Sequence, residues 1–375
     1  MLAFFIAGPF FACIPGKTGS NEISSEVFIS GQDAYSTYRI PSLALSDEFI
    51  FAFAEGRRHG SADHGEISIV LKRSKDWGKT WSSMITVVES AGESAQNPTP
   101  VWVDGAEKLI LLFTKRTVGS DTEYMIRNGT SEGYMGVYKT ESFDLGLTWT
   151  EPMEITDKVK KDKWNWYAVG PGGAIILTYN RDHKGRIIVP ANHSLNHGSG
   201  NEYLGAHIIW SDDNGNTWNI GAADSKGAST VNPNETAVVE LNNGDLYCNT
   251  RNHSGEDSIA HRAIAISGDG GLTFDSIFRH EPGLTTPIVH ASLARSKTSV
   301  FFVAPYHWND RINLSLWIST DETASWQYNR LLHKGPSAYS SVCMVGPNAL
   351  GVLFEAGNYE KIVFKSIPLK HGQPR

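Results

Sequence analysis

Apolar positions along this chain recur at every second residue or fill short β-rich runs, and no stretch sustains the spacing of a long amphipathic helix. Ile67-Ser68-Ile69-Val70-Leu71, His207-Ile208-Ile209-Trp210 and Leu314-Ser315-Leu316-Trp317-Ile318 therefore read as strands. Each leads into one copy of a repeated box. Ser74 to Trp81, Ser142 to Trp149 and Ser211 to Trp218 keep the full pattern Ser-x-Asp-x-Gly-x-Thr-Trp. Ser267 to Phe274 exchanges the Trp for Phe, and Ser319 to Trp326 lacks the Gly and carries Ser325 for Thr. Because a short strand candidate follows each copy, the box is predicted to be a hairpin turn. Its Asp and Gly supply side-chain-to-backbone bonding and positive φ, and its Trp supplies an apolar plate that pins the turn onto its own sheet. Asp76, Asp144 and Asp213 are thus structural acids rather than catalytic ones.

The five copies start 68, 69, 56 and 52 residues apart, room for one four-stranded sheet per interval. Residues 25–370 hold five to six such units, which predicts an all-β, single-domain, six-bladed β-propeller. The unit without a box is predicted to be assembled from both ends of the chain, Glu26-Val27-Phe28-Ile29 pairing near Lys361-Ile362-Val363-Phe364 to close the ring.

Composition narrows the function. A chain of 375 residues with 40% hydrophobic positions, 36 Gly and 11 Trp is neither disordered nor collagenous. Lys and Arg total 33 against 40 Asp and Glu, a net charge of −7 that offers no broad basic surface and excludes nucleic acid as an expected partner. Cys13, Cys248 and Cys343 are too few for a disulfide framework and lack zinc-ligand spacing, so no metal is expected. The run Met1 to Pro15 is too short to span a bilayer, and no transmembrane anchor is predicted. It fits the core of an export signal over residues 1–20, although no Lys or Arg precedes it; a retained N-terminal segment is the other reading. Export would make the product secreted, periplasmic or, with Cys13 lipidated, a surface lipoprotein.

Three arginines stand at the ends of strand candidates: Arg39 in Tyr38-Arg39-Ile40-Pro41, Arg251 in Thr250-Arg251-Asn252 and Arg311 in Asp310-Arg311-Ile312. Singly each reads as a surface arginine. With Ala54-Glu55-Gly56-Arg57-Arg58, the five boxes, Pro233-Asn234-Glu235-Thr236 and Ala338-Tyr339-Ser340-Ser341 in this order, the chain from about Val27 to Ile367 resembles the exo-α-sialidase (neuraminidase) family of bacterial and animal type.

That resemblance implies a six-bladed propeller that removes terminal sialic acids from glycoproteins, glycolipids and oligosaccharides with retention and without an obligatory cofactor. It assigns Arg39, Arg251 and Arg311 to the sugar carboxylate, a role that suits guanidinium forks, and Glu355 as the partner that orients Arg39. It makes Tyr339 the nucleophile with Glu235 as its base, in keeping with sialidases departing from the usual two-carboxylate scheme. A phenol is not repelled by the carboxylate on the anomeric carbon, but it needs a neighbouring base at neutral pH. Asp63 is the implied general acid/base, with His64 as its competitor. Glu55 and Arg57, rather than Arg58, are implied to reach the C4 hydroxyl. Asn97-Pro98-Thr99-Pro100, Asn192-His193 and Glu202-Tyr203 fall where the family builds other sugar pockets, or are plain turns. Transfer to another sugar, a deaminated sialic acid as substrate and a non-catalytic sugar-binding propeller are the alternatives. The sequons at Asn128, Asn192, Asn234, Asn252 and Asn313 discriminate among none of these.

Overall fold

A computed structural model describes residues 22–117, 123–127, 133–196, 202–224, 231–253 and 261–369. The expected export segment, Cys13 and the sequon at Asn128 lie outside the described residues. Strands dominate; among the described residues they form four hydrogen-bonded sheets, which divide into six antiparallel blades of the propeller kind, with one parallel contact between Ile67 and Ser94 joining the first two. Blade 1 contains Thr37–Leu45, Ile50–Arg57, Ile67–Ser74 and Ile85–Val88. Blade 2 contains Glu93–Val103, Lys108–Thr117, Met135–Ser142 and Met153–Glu154. In blade 3 the first strand is broken into Trp164–Val169 and Ile175–Ile176, both pairing with Ile187–Asn196, followed by Glu202–Ser211 and Asn219–Ala223. Blade 4 contains Pro233–Glu240, Leu246–Asn252, Arg262–Ser267 and Arg279–His280.

Blade 5 contains Ser292–Arg295, Val300–Pro305, Ile312–Ser319 and the first half of the long strand Gln327–Met344. The second half of that strand opens blade 6, which continues with Ala349–Ala356 and Lys361–Pro368. Ile23–Ile29 supplies its fourth strand, running from Ile23 opposite Ser366 to Ile29 opposite Lys361. The two ends therefore close the ring as the sequence predicts, which leaves no frayed first or last blade.

Each sheet is covered on both faces because blades pack on one another. Leu43, Ala52 and Val70 of blade 1 share a core with Leu353 and Phe364 of blade 6. Phe51 and Phe53 share another with Leu109 and Leu111 of blade 2. This is why the strands read as β-rich runs more often than as strict alternation.

The five boxes join the third and fourth strands of blades 1 to 5. In each, the Ser hydroxyl donates to the Asp carboxylate at 2.8–2.9 Å, and that carboxylate accepts the backbone N–H and the hydroxyl of the Thr or Ser four residues on. The box Gly lies at φ near +80° in the first three copies, and a Cβ at Gly215 would meet Ile110 Cδ1 at 2.3 Å. In the fifth box Thr323 takes the left-handed conformation instead, at φ 71°.

The box tryptophans correct one expectation. They are not confined to their own sheet: Trp81 packs edge-on against Phe364 of blade 6 and Trp149 against Phe53 of blade 1, while Trp326 contacts both Tyr247 of blade 4 and Phe302 of its own blade. The apolar side chains within reach of these half-buried rings lie on the neighbouring blade as well as on their own, and contact with them removes apolar area from water.

Candidate active site

Strands within a blade alternate in direction, so first strands begin, second strands end and third strands begin at one end of the ring, while the boxes occupy the other. Every residue assigned above by resemblance falls at the first of these ends. Arg39, Glu235 and Tyr339 open first strands, Glu55, Arg57, Arg251 and Glu355 end second strands, and Arg311 immediately precedes a third. Asp63 sits in the loop between the second and third strands of blade 1.

Pairing register shifts within the first strands aim these side chains. The ladder skips between Arg39 and Ser42, between Gln96 and Thr99, between Pro233 and Thr236, and between Ser337 and Ser340. Such bulges turn a strand locally and redirect what it carries. Glu235 and Tyr339 lie inside two of them. Ile40 at φ 54° and Asn97 at φ 57° mark the strain in two others.

Tyr339 is the meeting point. Its hydroxyl donates to Glu235 Oε1 at 2.7 Å and accepts from Arg251 Nη1 at 3.1 Å. Arg251 Nη1 also lies 2.9 Å from Glu235 Oε2. The guanidinium carbons of Arg39 and Arg311 stand 5.3 and 5.7 Å from the centroid of the same ring. Blades 1, 4, 5 and 6 thus bring three cations and one carboxylate around one buried phenol. Burial pushes the phenol pKa far up and Glu235 adds to this, while Arg251, Arg311 and Arg39 oppose it. Burial would raise Glu235 as well, but Arg251, His290 and the Tyr339 hydroxyl outweigh it and hold the carboxyl at about 2.

Glu355 ties the first strands of blades 1 and 6 together. Its Oε1 accepts Arg39 Nε at 2.9 Å and the Ile40 N–H at 2.9 Å; its Oε2 accepts the Tyr339 N–H at 3.1 Å and Arg39 Nη2 at 3.5 Å. Burial disfavours the Arg39 charge, yet Glu355 together with Tyr359, Tyr339 and Asp63 outweighs it and the guanidinium is held fully ionised. The Tyr359 ring lies 4.1 Å from that guanidinium.

Asp63 bridges Arg57 Nη1 at 2.7 Å and Arg39 Nη1 at 3.4 Å, with its side chain 59% exposed. Partial burial raises its pKa, but the two arginines win and keep it below the usual carboxylate range. Its backbone carbonyl is fastened to blade 2 by Gln96 Nε2 at 3.0 Å and Arg116 Nη2 at 3.2 Å. Glu55 is fully buried, paired with Arg57 and accepting the Asn97 N–H at 2.8 Å. Burial moves its pKa upward against those two partners. Arg58 turns instead to Glu89 at 2.6 Å and Glu66 at 3.6 Å, and His64 is exposed.

Some weaker candidates move elsewhere. Asn192 and His193 are buried inside a strand rather than in a pocket loop, His193 against Trp164 and His207. Tyr203 is buried with its hydroxyl on Asp224, and Glu202 falls in the same strand. The sequon asparagines Asn192, Asn234 and Asn252 are likewise buried. Two side chains at the site were not singled out from sequence: His290, stacked on Tyr339, and Tyr359, on Arg39. A lone His in Ile288-Val289-His290-Ala291 and a Tyr in a hairpin turn carry no periodic signal.

Fold and site define a six-bladed propeller that gathers three arginines around one phenol at one end of the ring, an arrangement suited to an anion. Residues 47–352 match the family model for a BNR repeat-like domain. An exo-alpha-sialidase of Aspergillus fumigatus is 29% identical over 93% of this chain and 86% of its own length, and Sialidase-2 of Rattus norvegicus is 27% identical over 90% and 93%. The solved structure of the Hadza microbial sialidase Hz136 superposes with a TM-score of 0.79 at 26% identity, over 92% of this chain and 68% of that one. The chain belongs to the sialidase family of BNR-repeat propellers.

Proposed function

We propose that the protein is an exo-α-sialidase, a glycoside hydrolase that releases terminal sialic acids with retention through an intermediate on Tyr339. The observation that carries this is a phenol hydroxyl 2.7 Å from a carboxylate, with three arginines from three blades gathered on it. The names of its relatives support the same substrate class.

Arg39, Arg251 and Arg311 take the sugar's carboxylate, selecting an anionic sugar over neutral hexoses. Binding rearranges the charges already there. The incoming anion competes with Asp63 for Arg39 and leaves Asp63 beside a new negative charge, which raises its affinity for a proton. Asp63 then protonates the departing glycosidic oxygen. The same anion shares Arg251 with Glu235 and makes that carboxylate a better base. In the resting site Glu235 binds protons weakly and Tyr339 releases its proton reluctantly, so deprotonation ahead of attack is unfavourable. The proton passes to Glu235 as the phenol oxygen bonds to C2. Asp63, now a carboxylate again, removes a proton from water, which attacks C2 and breaks its bond to the Tyr339 oxygen; that oxygen takes back the proton held on Glu235. Two displacements at one carbon preserve its configuration.

The enzyme is expected to release free sialic acid from sialyllactose, with the α anomer formed first by NMR. Labelling with a fluorinated sialosyl fluoride should place the adduct on the peptide containing Tyr339; an adduct on another residue refutes the assignment. Arg251→Ala should cost about a hundredfold or more in kcat/KM on an aryl sialoside. Product analysis with and without an acceptor sugar distinguishes hydrolysis from transfer, and a deaminated sialic acid, which differs only at C5, tests whether that position is read.

A further inference from the structure

The Tyr339 ring has a near-parallel neighbour in His290, with centroids 5.7 Å apart and planes 14° from parallel. His290 lies just before the first strand of blade 5 and is 1% exposed. Its segment is locked by Arg262, whose Nη1 donates to the Val289 carbonyl at 2.8 Å while Nε donates to Asn249 Oδ1 at 2.7 Å. Room for the imidazole comes from the broken first strand of blade 3: a Cβ on Gly172 would stand 3.0 Å from His290 Cε1. The imidazole's polar contact is with the Pro171 carbonyl, in less than ideal hydrogen-bond geometry. The ring also borders a cavity of about 1940 Å³, lined by residues of the first strands such as Leu43, Val101, Val239 and Val342.

A residue placed there only to fill space would not need a buried imidazole, whose polar nitrogens cost free energy wherever they are poorly paired. The reaction described above supplies a use. We propose that His290 is a positioning residue for that reaction: as a neutral imidazole it holds the Tyr339 ring with its hydroxyl on Glu235, and its protonation closes the site in acid. This rests on Tyr339 being the nucleophile.

The charged groups acting on His290 fix the sign. Burial, Arg262 and Arg251 all oppose a proton, whereas Glu235 and the Pro171 carbonyl favour one. The balance keeps the ring neutral down to about pH 4. Below that, a new cation on Glu235's border lowers the proton affinity of the base and adds a third positive charge beside Arg251 and Arg262. Glu235 itself titrates near 2, so His290 protonates first as pH falls.

Two variants separate packing from charge. His290→Phe keeps a flat ring and removes the titration: kcat at pH 7 should stay within about threefold, while the acidic limb of kcat/KM moves to lower pH. His290→Ala removes the plate and should lower kcat about tenfold or more with little change in KM, because a small displacement of a nucleophile is costly. Thermal melting and binding of an unsaturated sialic acid analogue establish that each variant is folded. If His290→Ala fails to fold, the His290→Phe limb decides alone. An acidic limb unmoved in His290→Phe, or kcat retained in a folded His290→Ala, overturns the inference while leaving the sialidase reading intact. A wild-type enzyme that cleaves no sialoside overturns both.

Discussion

Replacing Glu355 by Gln removes one charge and changes almost no volume, which makes it a sensitive probe of how the site is held. The side chain makes four hydrogen bonds, two at each oxygen. A Gln amide can keep its oxygen where Oε1 stands and retain Arg39 Nε and the Ile40 N–H. Its NH2 then faces two further donors, the Tyr339 N–H and Arg39 Nη2. One buried backbone donor left without an acceptor costs about 1–3 kcal/mol. Removing the countercharge of a buried arginine brings the total to about 3–5 kcal/mol. Asp63 offsets little of this, since it is more exposed and lies 3.4 Å away. Urea unfolding of Glu355→Gln should show a fall of that size with an unchanged slope. The same change releases Arg39 and the backbone of Tyr339 together, so kcat/KM on an aryl sialoside should fall about a hundredfold, equivalent to nearly 3 kcal/mol. A variant within about 1 kcal/mol of wild-type stability, retaining kcat/KM within about threefold, would refute the view that Glu355 holds both strands in register.

Three further outcomes are expected. Asp63→Asn should slow sialosides with sugar leaving groups far more than those with an activated aryl leaving group, because only the former need a proton; equal losses on both would remove Asp63 as the acid. Asp76→Ala breaks three hydrogen bonds that close the first box, from Ser74, the Thr80 N–H and the Thr80 hydroxyl, and should lower stability by about 1–2 kcal/mol with turnover of the remaining folded enzyme unchanged. Burial depresses His193 to about 3 and His207 well below its ordinary value, so in acid the unfolded chain takes up protons first. Stability is therefore expected to be full above about pH 6.5 and to decline as pH falls toward 3, with His193→Phe less steep in that window; identical acid-unfolding curves would argue against it.

The repeat made the architecture legible. Five copies of an eight-residue turn, each following a strand and spaced by one sheet, leave few alternatives to a ring of blades. The absence of a sixth copy likewise pointed to closure by the chain ends, and Ile23–Ile29 pairs with Lys361–Pro368 accordingly. Where the tryptophans would pack was not readable, since a box names its own hydrogen bonds but not the blade beside it.

The candidate site divides along the same line. Residue type and order singled out Arg39, Asp63, Glu235, Arg251, Arg311, Tyr339 and Glu355, but only by resemblance. In the bare sequence Tyr339 is indistinguishable from a core aromatic, and it is indeed 94% removed from solvent by relative area. Asn192 and His193 show the converse, polar residues that look available and are closed inside a strand.

Local chemistry in the chain determined the turns, the strands and therefore the number of blades, because the Ser, the Asp and the Thr or Ser of each box bond one another across at most four residues. The tertiary structure decided which charges meet. Bulges in the first strands, the break at Gly170–Gly173 that admits His290, and the Glu355 bridge between the first and last blades depend on residues up to 316 positions apart in the chain. Electrostatic fields act through space, so the protonation of Glu235, Tyr339 and Asp63 follows from the closed ring and from no segment of it alone.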